Sequence, residues 1–414
     1  MGRISANVAL VDGASASKND QLAVENFRDY LRIRTMHPTP DYQGAMAFLK
    51  RMAGELDVDF KIVEPVANKP VAILTWHGTD TKLPTLMLNS HTDVVPVFEE
   101  RWTHDPFGAD RVRQENGDYK IYARGAQDMK VVGMSYIEAV RRLKQQTWQP
   151  RRTIHMTFIP DEETGGAEGM AVFCQTPEFK ALNVGLELDE GQASTDNDFI
   201  VYYDERVKAP FKIYAYGDTG HGSQFINNTA AKKLMGAINE LMAFRDQQEE
   251  LLRTGRRDGK PLTLGDVTTI NLTILQGGVT SNIVPSNFTA GSSTASLLTR
   301  TMLPYARSVT MEFSMPPLPA PFATTTGSKA MESGIDWQRA FDKASKALNV
   351  HLRREIFPAA TDARFLRKQG LTAFGISPIN NTPILLHSDD EFVYESVYLR
   401  GITFYETLIR HLAE

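Results

Sequence analysis

The stretch LMLNSHTD, residues 86–93, begins as an apolar run and ends in an imidazole and a carboxylate. Such a run predicts a strand buried on both faces of a sheet. Four other segments have the same form: YARGAQDMK (122–130), MTFIPDEE (156–163), GLELDEG (185–191) and PILLHSDDE (383–391). Because sites in open α/β sheets form outside the carboxyl ends of the strands, these five polar ends predict one shared site at one sheet edge.

Predicted strands alternate with predicted helices around these segments. This pattern indicates an α/β fold with a mostly parallel sheet and helices on both faces. Past residue 204 the order becomes strand, long helix and further strands, close to an α+β ferredoxin-like unit. The predicted divisions are a disordered leader (1–19), the first part of a catalytic domain (20–203), an inserted lid and dimerisation domain (204–316) and the second part of the catalytic domain (317–414).

Length and composition exclude several classes of protein. A chain of 414 residues with 42% hydrophobic and 23% charged residues is typical of a globular protein with more than one domain. The net charge of -5 disfavours nucleic acid as a partner. No run approaches the ~18 apolar residues of a membrane span. The first twenty residues lack a signal-peptide pattern, and Cys174 has no partner for a disulfide, so we expect a cytoplasmic protein.

The polar strand ends offer metal ligands, although each one alone has an ordinary explanation. His91 is expected at a strand end, and Asp93 is expected to orient it by accepting the other ring N–H. Asp128 stands just before a predicted helix, where it would serve equally well as an N-cap. The acids at 161–163 follow a strand, and a surface turn is the simpler interpretation. Glu190 follows a buried strand in the same way.

Five such ends together favour a metal site over five separate coincidences. His387 also follows an apolar run, so imidazoles and carboxylates are combined. That combination suits zinc, with manganese or cobalt as alternatives. Two ions about 3.5–4 Å apart activate one water and polarise a carbonyl. A carboxylate that binds neither ion would accept the water's proton as general base. The residues therefore predict a two-metal hydrolase.

Long motifs link the chain to a known family. They include FRDYLRIRTMHPTPDY (27–42), LNSHTDVVPV (88–97), RTIHMTFIPDEETGG (152–166), GHGSQF (220–225), INLTILQGGVTSNIVP (270–285) and FPAATDARFLR (357–367). Through them the chain resembles the zinc-dependent M20 peptidase family over nearly everything from residue 20 onward. The resemblance implies two zinc ions per subunit. The implied ligands are Asp128 between both ions, His91 and Glu190 at one ion, and Glu163 and His387 at the other.

The resemblance also implies roles for residues that bind no metal. Glu162 would be the general base, and Asp93 the partner of His91. His221 would polarise the scissile carbonyl in the active site of the other subunit of a homodimer. From its own surroundings, between two glycines, His221 would equally well be a turn residue.

Substrate-binding residues follow from the same matched motifs. Arg364 would bind the carboxylate of the substrate, although a charge on a helix surface explains this arginine equally well without the resemblance. Asn282 would face the substrate with its amide. Gly277 and Gly278 would shape the same wall.

The implied activity is the hydrolysis of N-acyl-L-amino acids to a carboxylate and a free L-amino acid, as part of amino-acid metabolism. One alternative is a dipeptidase or carboxypeptidase of the same family. Another is an inactive zinc-binding relative, because residues 294–318 lack the family's Phe-Asp-x-Arg motif. In that segment Pro304 interrupts the expected second lid helix, which we therefore predict to be truncated.

Overall fold

The computed structural model describes residues 17–208, 210–257, 259–296, 309–313 and 334–414. Most of the predicted leader, and the segment predicted to hold the truncated lid helix, lie outside the described residues. Residues 17–19 are described, and there the helix begins at Lys18 with the side chain of Ser17 accepting the main-chain N–H of Asp20. The helix therefore starts two residues earlier than the predicted domain boundary at residue 20.

The described residues form helices and strands in alternation. The α-helices are α1 (Lys18–Arg32), α2 (Tyr42–Leu56), α3 (Lys130–Gln145), α4 (Met170–Phe173), α5 (Pro177–Ala181), α6 (Ala230–Thr254), α7 (Trp337–Leu348), α8 (Ala363–Lys368) and α9 (Glu395–Leu412). The strands are β1 (Asp59–Val66), β2 (Lys69–Trp76), β3 (Thr85–His91), β4 (Asp110–Arg113), β5 (Tyr119–Tyr122), β6 (Ile154–Ile159), β7 (Val184–Asp189), β8 (Phe199–Glu205), β9 (Val207–Lys208), β10 (Phe211–Tyr216), β11 (Gly220–His221), β12 (Arg256–Arg257), β13 (Lys260–Pro261), β14 (Thr269–Gly277), β15 (Ile283–Val284), β16 (Asn287–Ser296), β17 (Thr310–Phe313), β18 (Leu352–Phe357), β19 (Thr372–Gly375) and β20 (Phe392–Tyr394).

The large sheet has eight strands in the order β1-β2-β6-β3-β7-β19-β8-β18. Strand β3 lies near its centre and pairs in parallel with β6 on one side and β7 on the other. β19 continues the parallel run beside β7. The predicted α/β class with a mostly parallel sheet is confirmed. Since β6, β3, β7 and β19 point the same way, their carboxyl ends share one edge of the sheet.

Helices cover both faces of this sheet because successive strand residues point to opposite sides. In β3, Leu86 and Leu88 belong to the larger hydrophobic core, which also holds residues of α1, α2, α3, α7 and α9. Met87, between them, belongs to a second core on the other face, with residues of α4, α5 and α8. Burial on both faces explains why the central strands are continuous apolar runs.

A second sheet lies between the two parts of the chain that build the first. Its main path has the strand order β14-β16-β10-β17, and α6 packs on one face through Leu234 and Leu241 against Phe211 and Ile213. Strand β8 stays in the large sheet up to Glu205, so the change of sheet comes just after residue 205. The division into a catalytic domain and an inserted lid remains our proposal. No helix among the described residues is long and apolar enough to cross a lipid bilayer.

Candidate metal centre

Three neighbouring parallel strands deliver polar side chains to one edge of the large sheet. β3 ends at His91, and β7 is followed at once by Glu190. β6 leads into a short 3-10 helix at Glu162–Thr164, which carries two adjacent glutamates. All of these side chains lie in the protein interior or close to it. The structure thus brings the predicted strand ends together.

Asp128 lies between two histidines. Its Oδ1 is 3.0 Å from Nε2 of His91, and its Oδ2 is 3.1 Å from Nε2 of His387. Helix α3 begins only at Lys130, and its N-cap residue Met129 makes no side-chain capping bond. The alternative role of Asp128 as an N-cap is therefore wrong, and its two oxygens are directed at two different imidazoles.

Two glutamates complete the surroundings of these histidines. Oε2 of Glu190 is 3.7 Å from Nε2 of His91, and Oε2 of Glu163 is 3.0 Å from Nε2 of His387. Two overlapping groups of the described residues also hold their ligand atoms within 4.8 Å of one another. They are His91, Asp128 and Glu163, and His91, Glu162 and Glu190. These groups form a candidate metal site.

The orientation of the His91 ring is set by the residue that the sequence indicated, but through a different atom. Nδ1 of His91 lies 2.8 Å from the main-chain carbonyl oxygen of Asp93 and 3.9 Å from its carboxylate. A carbonyl oxygen only accepts, so Nδ1 donates its N–H to Asp93, and Nε2 is the ring nitrogen that faces the acids. The prediction that the Asp93 carboxylate orients His91 is therefore corrected to its carbonyl group.

The Asp93 carboxylate instead holds the turn that follows β6. It accepts the main-chain N–H of Glu162 at 3.2 Å and that of Glu163 at 3.1 Å. Its Oδ2 also lies 2.8 Å from Nε2 of His37, and the carboxylate is fully buried. His37 lies within a motif quoted above, yet sequence reasoning assigned it no role. A histidine that pairs with an acid more than fifty residues away leaves no local signal.

Asp161, the first of the three acids after β6, turns away from the metal site. Its carboxylate pairs with Nζ of Lys69 at 2.6 Å and accepts the hydroxyl of Thr164 at 2.5 Å. It also accepts the main-chain N–H of Glu168. Asp161 therefore closes the turn, while Glu162 and Glu163 face the site.

The pKa values of two acids of the site are raised, whereas His387 and His91 lower the pKa of Asp128 despite its burial. Burial and the neighbouring Asp128 raise the pKa of Glu163 to about 7, and the same two causes raise that of Glu190 well above its ordinary value. Hydrogen bonds that His387 donates to Asp128 and Glu163 raise the pKa of His387 to about 10. Burial lowers the pKa of His91, but Glu190 and Asp128 outweigh it and raise the net value. Bound cations would relieve this crowding, so the donor set fits a metal of the zinc type.

Arg364 faces the same pocket from helix α8. Its Nη1 is 3.5 Å from Oε1 of Glu162, and its Nη2 donates to the carbonyl of Gly165 at 2.8 Å. A further bond goes to the carbonyl of Thr361, and only 14% of the side chain is exposed. The alternative of a charge on a helix surface is therefore wrong.

The predicted residues of the lid form a separate, exposed group. His221 pairs with Ile283 across the β11–β15 ladder, and Gly222 donates to the carbonyl of Asn282 at 2.8 Å. Nδ1 of His221 lies 2.7 Å from the hydroxyl oxygen of Ser223. The remaining two residues of this group are Gly277 and Gly278, both with positive φ. Among the described residues, no hydrogen bond or ion pair joins this group to the acids around Asp128.

Comparison with known proteins places this architecture and site in a class. The model of peptidase family M20/M25/M40 matches residues 87–411, and the chain belongs to that family. The chain is 42% identical to mouse aminoacylase-1 over 407 residues, which covers 96% of each chain. It is 43% identical to pig aminoacylase-1 over 402 residues, 94% of this chain and 95% of that one. These relatives support the aminoacylase-1 branch of the family and a hydrolase that acts on amide bonds.

The fold agrees with solved structures of the family. Aminopeptidase PepT from Bacillus cereus superposes with a TM-score of 0.71 at 15% identity, covering 95% of this chain and 99% of that chain. Identity this low supports the shared fold alone.

Proposed function

We propose that the protein is a dinuclear zinc amidohydrolase that cleaves N-acyl-L-amino acids to a carboxylate and a free L-amino acid. The observation that carries the proposal is the position of Asp128, with one carboxylate oxygen near His91 and the other near His387. A carboxylate between two imidazoles is suited to bridging two ions. The likeness to aminoacylase-1 proteins along almost the whole chain supports the substrate class.

The proposed ligands divide into two sets that share Asp128. His91 and Glu190 would hold one ion, and Glu163 and His387 the other. When bound, the zinc pair would supply Lewis acidity that lowers the pKa of an attacking water and polarises the substrate carbonyl. The imidazoles and carboxylates supply four non-bridging ligands around one shared acid, which agrees with the donor preferences of zinc.

Glu162 is the proposed general base. Its carboxylate is buried beside the ligands, and the N–H of its main chain is held by Asp93. It takes a proton from the attacking water and gives it to the leaving amine nitrogen, so the group returns to its starting state after each turnover. The C–N bond of the amide breaks as the C–O bond to the water oxygen forms.

Arg364 is the proposed partner of the substrate carboxylate. In an N-acyl-L-amino acid the carboxylate is attached to the carbon next to the scissile nitrogen. An arginine 3.5 Å from the general base therefore agrees with such a substrate. A dipeptide or the C-terminal bond of a peptide has the same spacing, so this contact does not separate an acylase from a dipeptidase or carboxypeptidase. The aminoacylase-1 relatives favour the acylase.

The lid is proposed to act across a homodimer. Strand β14 ends the path of the lid sheet, and Leu272, Ile274 and Leu275 on it are exposed. An exposed apolar edge strand is a ready surface for pairing with a second chain. His221 is exposed too, so a partner's substrate would have access to its ring, and Asn282, Gly277 and Gly278 are also exposed. A cytoplasmic location remains a prediction. So does the hypothesis that zinc binding survives the altered 294–318 segment while activity is impaired.

Metal analysis, size exclusion and kinetics on one purified sample test the proposal. We expect two zinc ions per subunit, a dimer, and faster hydrolysis of N-acetyl-L-methionine than of any member of a dipeptide panel. Asp128→Ala should bind fewer than two ions. Faster cleavage of dipeptides would establish the peptidase instead. Two bound ions without hydrolysis of any of these substrates would establish the inactive relative.

A further inference from the structure

Glu391 binds the chain segment that carries Asp128. Its carboxylate is completely buried, and each of its two oxygens accepts two hydrogen bonds. Oε2 accepts from Nη1 of Arg124 at 2.7 Å and from the main chain of Gly125 at 3.2 Å. Oε1 accepts from the main chain of Gln127 at 2.5 Å and of Asp128 at 3.2 Å. The main chain of the proposed bridging ligand is thus fixed by a carboxylate 263 residues away.

Gln127 makes the reverse connection. Its side-chain Nε2 donates to the carbonyl of Pro383 at 3.0 Å and to that of Phe392 at 2.8 Å. Its Oε1 accepts the main-chain N–H of Leu385 at 3.0 Å. Glu391 therefore reaches from the C-terminal segment to the Asp128 segment, and Gln127 reaches back. The two side chains tie segments 123–128 and 383–392 together.

These two segments carry two ligands of the same proposed ion. His387 is 54% exposed and lies within segment 383–392, so the path of this segment sets where its ring stands. Its distance from Asp128 therefore depends on how its segment is tied to segment 123–128. Metal–ligand distances are restricted to within about 0.2 Å, so a small shift between the segments changes the affinity of the site.

We propose that Glu391 and Gln127 are positioning residues that set the separation of Asp128 and His387, and with it the geometry of the ion site that Glu163 completes. This inference rests on the proposed metal ligands. Neither residue is among the proposed metal ligands or substrate-binding residues. Their effect reaches the site through the main chain of Asp128 and through segment 383–392.

A purely structural role for Glu391 would be to neutralise Arg124, which is buried and lies 5.2 Å from the ring centre of Trp102. That ion pair uses only Oε2. Oε1 is devoted to the two amides next to and at the bridging ligand. Glu391→Gln therefore affects two separate contacts: the ion pair with Arg124, and the hydrogen bonds from the amides of Gln127 and Asp128.

The variants Glu391→Gln and Gln127→Met test the proposal against Glu138→Gln as a matched control. Glu138 is also buried, and it accepts hydrogen bonds from Nδ2 of Asn26 and Nε of Arg141, each at 2.9 Å, but it lies on α3, outside segments 123–128 and 383–392. Metal-free protein is titrated with Zn²⁺ and the stepwise affinities are recorded. We expect Glu391→Gln to lower the affinity for one of the two ions at least about tenfold, since an amide offers only one acceptor oxygen. Gln127→Met should lower the affinity for the same ion by a smaller factor. Glu138→Gln should leave the affinity for both ions unchanged.

A second variant series identifies which ion is affected. In a protein that already carries His387→Ala, Glu391→Gln should have little further effect on the affinity for the remaining ion. The reason is that both substitutions act on the same ion site. A Glu391→Gln protein that binds both ions with wild-type affinity would overturn the proposal. So would an equal loss in the Glu138→Gln control.

Hydrogen exchange of the metal-free proteins separates this inference from the proposed function. Amides of residues 123–128 should exchange at least about tenfold faster in Glu391→Gln and Gln127→Met than in the control, because opening of this segment needs less free energy. If the wild type binds fewer than two ions, the dinuclear proposal fails, and exchange alone then decides. If residues 123–128 exchange at the wild-type rate in both variants, Glu391 and Gln127 do not hold this segment in place.

Discussion

The carboxylate of Asp93 accepts the main-chain N–H of Glu163 at 3.1 Å. A residue that follows β3 thereby fixes the turn that follows β6, and this turn presents the proposed base and a proposed ligand. The parallel pairing of the two strands brings the turn within reach of Asp93. The positions of Glu162 and Glu163 therefore depend on hydrogen bonds between adjacent strand ends.

We expect Asp93→Ala to lower kcat by about tenfold or more, since a loss of about 1.4 kcal/mol in the transition state is tenfold in rate. The change leaves two main-chain N–H groups and His37 without their acceptor, and each unpaired buried group costs about 1–3 kcal/mol. Asp93→Asn keeps one acceptor oxygen and should lie between the wild type and Asp93→Ala. Steady-state kinetics with metal analysis make the comparison. Wild-type kcat in Asp93→Ala would remove this role.

Glu162→Gln should keep a near-normal zinc content and lower kcat by at least about 10²-fold, the scale of losing a general base. Glu162→Asp is the companion variant, because it keeps the acid but shortens its reach, and we expect a large loss there too. Single-turnover hydrolysis of N-acetyl-L-methionine measures the step. An unchanged kcat in Glu162→Gln would show that another group accepts the proton.

His155 should make stability fall as the pH drops. Burial, and to a lesser extent His77, lowers the pKa of His155 from 6.5 to about 4, and Thr75 contacts its Nδ1 at 2.9 Å. Between these values the unfolded chain binds a proton that the folded chain excludes. Stability is therefore fully present above about pH 6.5 and is lost by up to about 1.4 kcal/mol per pH unit down to about pH 4.

Urea unfolding at pH 7 and pH 5 of the wild type and His155→Gln checks this sign. The variant has no titrating group at the position, so its stability should change less between the two pH values. Equal changes in both proteins would show that His155 does not contribute.

Subunit mixing tests the proposed role of His221. His221→Ala and Glu162→Gln should each be nearly inactive alone. A hybrid dimer would place an intact His221 against an intact Glu162 in one of its two sites, so an equal mixture should recover about a quarter of wild-type activity. Mixing after brief denaturation, followed by kinetics, makes the measurement. If His221 acts within its own subunit, no activity returns.

The central strands could be predicted from the sequence because a strand that is buried on both faces consists of an unbroken apolar run, as in β3. It predicted poorly where local pattern was weak. β8 (Phe199–Glu205) was not recognised, although it joins the large sheet. The apolar spacing of residues 392–411 predicts one continuous helix, whereas the structure has β20 (Phe392–Tyr394) before a helix that begins at Glu395. Three residues carry too little pattern to show a strand whose partner, β5, is some 270 residues earlier.

The site shows the same division between local and distant information. A strand end with His91 is visible in the sequence, and so are the glutamates after β6. The orientation of the His91 ring is not, because it depends on a main-chain carbonyl rather than on a residue type. Glu391 was quoted with its segment but received no role, since its four donors lie far away along the chain. Contacts of this kind need the folded topology.

The proposed ligands are unevenly spaced along the chain, and this matters while the protein is being synthesised. His91, Asp128 and Glu190 leave the ribosome before any part of the lid, so the nascent chain already holds every side chain for one ion. His387 emerges nearly two hundred residues later, after the lid. The site that needs His387 can therefore form only after the second part of the large sheet, with β18 and β19, has been synthesised.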